Sequence, residues 1–118
     1  KVTFIQSDWF QNINIKFDII VSNPPYISQD DFLNLPDDVR NFDPKVALFG
    51  GADGLDCYRK IAFSISQYLN YGGRGFFEIG LGQKTDVVSL FQACGLSIFD
   101  IKYDLNGSER VVCVKKDA

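Results

Sequence analysis

The residues with the clearest chemical potential are Asn23-Pro24-Pro25-Tyr26, which follow a hydrophobic run at residues 17–21. Neither proline carries an N–H, so the local backbone offers carbonyl acceptors without competing donors. The Asn23 side chain adds an amide oxygen, and Tyr26 adds a flat amphipathic face for stacking. A planar NH2 group fits this surface, with one hydrogen on Asn23 and the other on the Pro24 carbonyl. Two prolines that merely end a strand in a turn are the competing interpretation.

Composition restricts the chemistry that can accompany this segment. The chain has no histidine, which removes Ser-His and Cys-His nucleophilic catalysis and the commonest general base. Cys57, Cys94 and Cys113 are scattered, with no Cys/His cluster, so we expect no metal site and reduced thiols of a cytoplasmic protein. A net charge of −3 does not indicate the positive surface that direct binding to nucleic-acid phosphates requires. No apolar run approaches the roughly 20 residues that span a membrane.

Runs of β-prone residues predict the strands of the fold. They cover residues 2–5, 17–21, 75–79, 96–103 and 110–114. The run at 17–21 is almost entirely apolar, which is typical of a strand buried on both faces in a parallel sheet. Asn106-Gly107 lies between the last two runs and predicts a turn that joins an antiparallel pair.

Apolar periodicity predicts two helices between these strands. In the first, Asp53 is the expected N-cap, Gly72-Gly73 the expected stop, and one face repeats at spacings of three and four residues. That face consists of Leu55, Tyr58, Ala62, Ile65 and Leu69. The second helix spans about residues 85–94 and is closed by Gly95. The long polar connection at residues 27–52 has no clear periodicity, which is typical of a functional loop or lid.

The alternation of strands and helices predicts an α/β fold, with a mostly parallel sheet that is covered on both faces and ends in the antiparallel pair. In such sheets, ligands bind beyond the carboxyl ends of the strands. Asp8-Trp9 and Asn23-Pro24-Pro25-Tyr26 both follow predicted strands, so both are candidate binding residues.

The strand and its Asn-Pro-Pro-Tyr sequence resemble the motif of amino-group methyltransferases, and further blocks narrow the resemblance to the release-factor glutamine N5-methyltransferases (HemK/PrmC family). These blocks are Ser7-Asp8-Trp9-Phe10, residues 17–27, Asp43-Pro44 with Ala47-Leu48 and Gly50-Gly51, Asp53-Gly54-Leu55, Tyr58-Arg59, Glu78-Ile79-Gly80 with Gln83, and Glu109-Arg110-Val111. The resemblance covers essentially the whole chain.

The resemblance implies a Rossmann-like fold and methyl transfer from S-adenosylmethionine to the Gly-Gly-Gln glutamine of peptide chain release factors. Asn23, Pro24 and Tyr26 would be the catalytic residues. Asn23, Pro24, Pro25 and Tyr26 would bind the substrate amide. Asp8, Trp9 and Asn23 would contact the cofactor, Trp9 beside the adenine and Asp8 as an acceptor for its amino group.

The chain also departs from what the resemblance implies. Asp43 stands where a glutamate is expected, so we assign it no catalytic role. The Gly-rich cofactor loop, the acidic ribose-binding residue and the N-terminal substrate-recognition domain are missing. We therefore expect residues 1–118 to be the C-terminal portion of the catalytic domain, with weak cofactor binding and little or no turnover when isolated.

Several assignments stay open on the sequence alone. Glu78 either orients loops or is an ordinary strand-end residue. The pair Glu109-Arg110 favours a structural ion pair over a substrate clamp, and Gly80-Leu81-Gly82 favours a turn over a cofactor loop. Two rival functions also remain: a nucleic-acid amino methyltransferase acting on adenine or guanine, which would need a basic face, and a catalytically silent binding module with the same fold.

Overall fold

A computed structural model describes residues 1–36 and 49–117 of the chain. Its elements are β1 (Phe17–Ser22), α1 (Gln29–Leu33), α2 (Asp56–Ser64) with a 3-10 turn (Ile65–Gln67), β2 (Leu69–Glu78), α3 (Lys84–Ala93), β3 (Ser97–Tyr103) and β4 (Glu109–Lys115). Asp43, Pro44, Ala47 and Leu48, which contribute to the resemblance, lie outside the described residues.

The four strands form one mixed sheet in the order β1-β2-β4-β3. β1 and β2 are parallel, with Val21 opposite Phe76 and Ser22 opposite Phe77, so their carboxyl ends lie side by side. β3 and β4 form the predicted antiparallel pair, and β4 also runs antiparallel to β2. The α/β class is therefore confirmed, with parallel pairing in the described sheet confined to β1 and β2.

Helices α2 and α3 build the hydrophobic core on one face of this sheet. All five residues of the predicted apolar helix face are buried, from 8% exposed at Leu55 to fully buried at Tyr58. Phe77 of β2 meets Phe91 of α3 with ring centroids 4.8 Å apart. Because both helices share one core with the inner face of the sheet, they hold the strand ends in fixed positions.

The predicted end of the first helix is wrong. α2 ends at Ser64, the 3-10 turn follows, and Leu69 already belongs to β2 opposite Phe17. Lys116 donates to the carbonyls of Ser66 and Leu69, which satisfies the end of this turn. Gly72 lies inside β2 with φ of 80°.

The predicted start of the same helix is also wrong. Leu55 occupies the N-cap position without a side-chain cap. The Asp53 carboxylate instead accepts the Leu55 N–H at 3.0 Å, which closes a turn just before the helix. Asp53 therefore shapes the approach to α2 from outside it.

The β-prone run at residues 2–5 forms no strand, and Val2 and Phe4 are exposed. The second face of β1 is also open: Ile19 and Val21 are 63% and 71% exposed, so burial on both faces is not seen within the described ranges. β1 is an edge strand, and both α2 and α3 pack on the opposite face. The apolar run therefore correctly predicts the strand, whereas the prediction that both faces of this strand are buried is wrong.

The connections between the elements only partly follow the predictions. The long connection contains the unpredicted helix α1, whose N-cap Ser28 accepts the Asp31 N–H at 3.2 Å. α3 spans Lys84–Ala93, close to the predicted helix, and Gly95 follows it with φ of 86°. Gly107, with φ of 81°, lies in the predicted turn between β3 and β4.

Candidate substrate and cofactor site

Asn23-Pro24-Pro25-Tyr26, called the acceptor segment below, continues directly from the carboxyl end of β1. The two prolines cannot donate to a ladder, so strand pairing stops at Ser22. Asn23 is exposed, Pro24 is buried, and Pro25 and Tyr26 are half-buried. The segment thus presents its first side chain to solvent while its later residues enter the protein.

The carbonyl groups along this part of the chain fall into two sets. The Tyr26 carbonyl accepts from Nε2 of Gln83 at 2.9 Å, and the Ile27 carbonyl accepts the Gly50 N–H at 2.7 Å. No group in residues 1–36 or 49–117 donates to the Pro24 carbonyl or to the side-chain oxygen of Asn23. The later carbonyls therefore fix the segment, and within the described ranges the two predicted acceptors are left without a donor.

Three glycines pack closely around the end of the segment. A β-carbon on Gly50 would lie 2.8 Å from the Pro25 carbonyl oxygen, and one on Gly80 would lie 2.8 Å from Cδ1 of the Tyr26 ring. One on Gly54 would overlap the Tyr26 carbonyl oxygen. Real β-carbons essentially never approach so closely, so side chains at these positions would displace the segment.

Trp9 lies beside the end of β1. Its backbone is in the left-handed region, with φ of 54°, which is uncommon for a non-glycine residue. Its side chain is half-buried and lines a cavity of about 160 Å³, together with Phe10, Ile20, Val21, Ser22, Ile61 and Phe77. The cavity of Trp9 therefore reaches Ser22, the residue that precedes the acceptor segment.

Asp8 is placed differently from Trp9. Asp8 is exposed and lines a more open, polar hollow with Gln6, Ser7 and Asn12. The two predicted cofactor residues therefore border different spaces, although they are neighbours in sequence.

The residue types fit the adenosine part of S-adenosylmethionine. An apolar cavity walled by the aromatic rings of Trp9 and Phe10 suits the flat face of a purine. The Asp8 carboxylate, which accepts no hydrogen bond from any described residue, is a free acceptor for an amino group.

Comparison with known proteins identifies relatives that match nearly the whole chain. A release factor glutamine methyltransferase from Agrobacterium fabrum is 45% identical over 112 residues, covering 95% of this chain and 39% of the relative. One from Rhodospirillum rubrum is 42% identical over 118 residues, covering 100% of this chain and 36% of the relative. The chain is homologous to a segment of the release factor glutamine methyltransferases. The resemblance drawn from the motifs is therefore confirmed, and the chain spans less than half the length of these relatives.

A longer relative also matches nearly the whole chain. A bifunctional methyltransferase from Rickettsia typhi is 40% identical over 113 residues, which is 95% of this chain and 22% of that protein. No protein-family model matches the chain.

Solved structures confirm the fold class. A methyltransferase from Pyrococcus furiosus has a TM-score of 0.60 at 18% identity and covers 90% of this chain and 44% of its own. A release factor-specific protein-(glutamine-N5) methyltransferase from Alicyclobacillus acidocaldarius has a TM-score of 0.53 at 29% identity, over 87% of this chain and 50% of its own. The four-stranded sheet with its helices therefore has the Rossmann-like methyltransferase architecture.

Glu78 and Arg110, whose roles the sequence leaves undecided, form structural contacts. Glu78 ends β2, and its carbonyl accepts from the Tyr58 hydroxyl, while its carboxylate forms no ion pair with a described residue. Arg110 does not pair with Glu109. It lies 3.7 Å from the Asp104 carboxylate and also donates to the Ile79 carbonyl. The expected ion pair thus exists with a different partner.

Gln83 is a residue of this region that the motifs do not assign to the site. It belongs to the blocks that carry the resemblance, and its side chain reaches the acceptor segment. The only available signal was a polar amide directly after the Gly80-Leu81-Gly82 turn, and that position is more often an ordinary helix start. The turn itself is as predicted.

Tyr58 of α2 forms a hydrogen bond with the end of β2, and removal of its hydroxyl should change stability in a pH-dependent way. Its fully buried hydroxyl donates to the Glu78 carbonyl at 2.6 Å, and burial raises the pKa of Tyr58 above its ordinary value. A raised pKa means that this stabilisation is complete below pH 10 and is lost as the pH rises further.

We expect Tyr58→Phe to lower the free energy of unfolding by about 1–3 kcal/mol at pH 7, because it leaves the partly buried Glu78 carbonyl without this donor. Between pH 10 and 11 the difference in unfolding free energy between wild type and variant should shrink by about 1 kcal/mol. The reason is that Tyr58 ionises in the unfolded wild type, which stabilises that state, whereas the variant has no hydroxyl at this position. Urea unfolding at the three pH values measures both effects. A difference that stays constant with pH would contradict the assigned cause.

Residues 1–36 and 49–117 also bear on membrane insertion and metal binding. In those ranges, no helix combines the length and hydrophobicity that crossing a bilayer requires. The same ranges contain no group of three or more His, Cys, Asp or Glu side chains that could hold a metal ion.

Proposed function

We propose that this chain provides the substrate-amide site of an S-adenosylmethionine-dependent N-methyltransferase that modifies the Gly-Gly-Gln glutamine of peptide chain release factors. The observation that carries the proposal is a pair of acceptors, the Asn23 side chain and the Pro24 carbonyl, that receive no hydrogen bond from residues 1–36 and 49–117. They lie on a segment whose later carbonyls are held by Gln83 and Gly50. The relatives named as release factor glutamine methyltransferases support this substrate over an adenine or guanine amino group. The acidic balance of the chain supports it as well.

The acceptor segment would act by positioning the reacting nitrogen. An amide nitrogen is a poor nucleophile because its lone pair is delocalised. With one hydrogen on Asn23 and one on the Pro24 carbonyl, the nitrogen is aimed outward, and both acceptors favour the positive charge that develops on it. Tyr26 would stack against the plane of the amide. The methylated amide cation then loses a proton easily, so no histidine base is required.

The cofactor would lie beside the same strand end. S-adenosylmethionine, when bound, supplies an electrophilic methyl group. Trp9 would pack beside its adenine, Asp8 would accept from the adenine amino group, and Asn23 would lie between cofactor and substrate. The cavity shared by Trp9 and Ser22 supports the adenine position beside Trp9, since Ser22 leads directly into Asn23. The Asp8 contact is proposed from the resemblance, because Asp8 lines a separate hollow.

We further propose that the 118 residues work as the C-terminal portion of a longer catalytic domain in the cytoplasm. The relatives are more than twice as long as the matched segment, which leaves room for the Gly-rich cofactor loop and a substrate-recognition domain. The three cysteines are all free, as thiols in a reducing compartment are. Tight binding of S-adenosylmethionine by the isolated 118 residues in calorimetry would contradict the first point.

The experiment is mass spectrometry on a peptide chain release factor incubated with S-adenosylmethionine and the full-length protein that carries this chain. We expect one added methyl group on the glutamine of the Gly-Gly-Gln segment. A folded, cofactor-binding protein that leaves the release factor unmodified would contradict the proposal, and adenine- or guanine-containing nucleic acid would be tested next. A folded protein that binds no cofactor would instead favour a silent module.

A further inference from the structure

We propose that Gln83 is a positioning residue for this reaction, which fixes Tyr26 and, through it, the acceptor pair of Asn23 and Pro24. The inference rests on the proposed function and adds a residue outside the acceptor segment. Gln83 lies 57 residues after Tyr26 in sequence, at the start of α3.

The Gln83 amide ties together three separate parts of the chain. Its Oε1 accepts the Gly80 N–H at 2.8 Å, while its Nε2 donates to the Tyr26 carbonyl at 2.9 Å and to the Gly54 carbonyl at 3.4 Å. This arrangement needs an acceptor and two donors on one planar group, which only an amide side chain provides. A carboxylate or an apolar side chain of similar size would leave at least one of these backbone groups without its partner.

The backbone of Gln83 is itself held rigidly. Its carbonyl accepts the Val87 N–H at 3.0 Å in the first turn of α3, and its N–H donates to the Gly80 carbonyl at 3.3 Å. Val87 is fully buried in the core. The position of the Gln83 amide is therefore set by the packed helix and transmitted outward to the acceptor segment.

The same turn also fixes the Tyr26 ring. Gly80, whose N–H bonds to Gln83, lies so close to the ring that a β-carbon there would be 2.8 Å from Cδ1. Gln83 thus holds the Tyr26 carbonyl, and the turn that Gln83 closes sets the space for the Tyr26 ring.

The prolines explain how a contact at Tyr26 reaches Asn23. Pro24 and Pro25 have φ fixed by their rings, so few rotations are available to absorb a shift of the Tyr26 backbone. A displacement at the Tyr26 carbonyl is therefore passed to the Pro24 carbonyl and to Asn23. Displacements near 1 Å at a reacting centre can lower rates by about 100-fold.

The test compares Gln83→Glu with the matched control Gln92→Glu in the full-length protein. Gln92 is exposed on the same helix, so its substitution adds the same charge away from the acceptor segment. At pH 8 we expect Gln83→Glu to lower kcat/KM for the release factor by about 100-fold. S-adenosylmethionine affinity and the circular dichroism spectrum should match those of Gln92→Glu.

The pH profile separates positioning from a general structural role. The carboxylate that Gln83→Glu introduces would face the Tyr26 and Gly54 carbonyls without a hydrogen to donate, whereas its protonated form regains a donor. The deficit in kcat/KM, relative to Gln92→Glu at the same pH, should therefore shrink as the pH falls from 8 to 6. A second variant, Gly80→Ala, places a β-carbon 2.8 Å from Cδ1 of the Tyr26 ring and 3.1 Å from Oε1 of Gln83, so it presses on both groups without adding a carboxylate. It should reduce kcat/KM without that pH dependence.

The outcomes distinguish the two proposals. Methylation by wild type and by Gln92→Glu, with the pH-dependent loss in Gln83→Glu, supports both. Methylation by all three within twofold at pH 8 overturns the role of Gln83 and leaves the proposed function intact. If Gln83→Glu does not fold, an unchanged kcat/KM in Gly80→Ala overturns the inference. A folded wild type that methylates no release factor overturns both.

Discussion

Replacing Asn23 with alanine is expected to lower kcat/KM for release factor methylation by about 100- to 1,000-fold, the range seen when one preorganised polar group is removed from an active site. The alanine retains the Pro24 carbonyl but removes the side-chain amide oxygen of the acceptor segment. The substrate amide then keeps one of its two hydrogen bonds, and its nitrogen is free to rotate away from the methyl donor. Single-turnover methylation followed by mass spectrometry measures the loss.

The structure gives reason to expect that this loss comes without unfolding. Asn23 is exposed, and its side chain forms no hydrogen bond with a described residue, so its removal breaks no hydrogen bond within those ranges. Asn106→Ala, at an exposed position in the turn between β3 and β4, is the matched control and should retain wild-type activity. Equal activity of the two variants would show that Asn23 does not hold the substrate.

The helical core could be predicted from sequence because its signal is local. Leu55, Tyr58, Ala62, Ile65 and Leu69 were all placed correctly in the interior from their spacing. The end of α2 was missed because that spacing continues to Leu69 even though the backbone has already left the helix. Leu69 is buried as the first residue of β2, and its pairing with Phe17 outweighs the local pattern.

The candidate site shows the same difference between local and long-range sequence signals. The acceptor segment could be proposed from sequence because its chemistry lies in four consecutive residues and needs only a strand before it, which β1 supplies. Gln83 was not assigned to the site because its hydrogen bonds to Gly54 and Tyr26 bridge 29 and 57 residues of sequence and depend on the positions of α2, β2 and α3. Sequence spacing carries no signal for such contacts. Asp8 illustrates the converse, since adjacency to Trp9 did not place both residues in one cavity.

Gly54→Ala is expected to have the second large effect, on both stability and catalysis. Gly54 has φ of 80°, a left-handed conformation that costs a residue with a β-carbon about 1–2 kcal/mol. The new β-carbon would also overlap the Tyr26 carbonyl oxygen, which is backbone and is held by Gln83, so relief requires moving the acceptor segment. Overpacking of this kind adds about 1–3 kcal/mol. We therefore expect a loss of about 2–5 kcal/mol in unfolding free energy and a roughly 100-fold lower kcat/KM.

Gly107→Ala separates the two causes. Gly107 has nearly the same φ, 81°, but a β-carbon there would meet nothing within 4 Å. This control should show only the conformational cost of about 1–2 kcal/mol in urea unfolding, with wild-type kcat/KM. If both variants lose the same stability and neither loses activity, the close approach of Gly54 to Tyr26 has no consequence for the site. A loss of activity confined to Gly54→Ala would tie the position of the acceptor segment to the glycine that lets it approach α2.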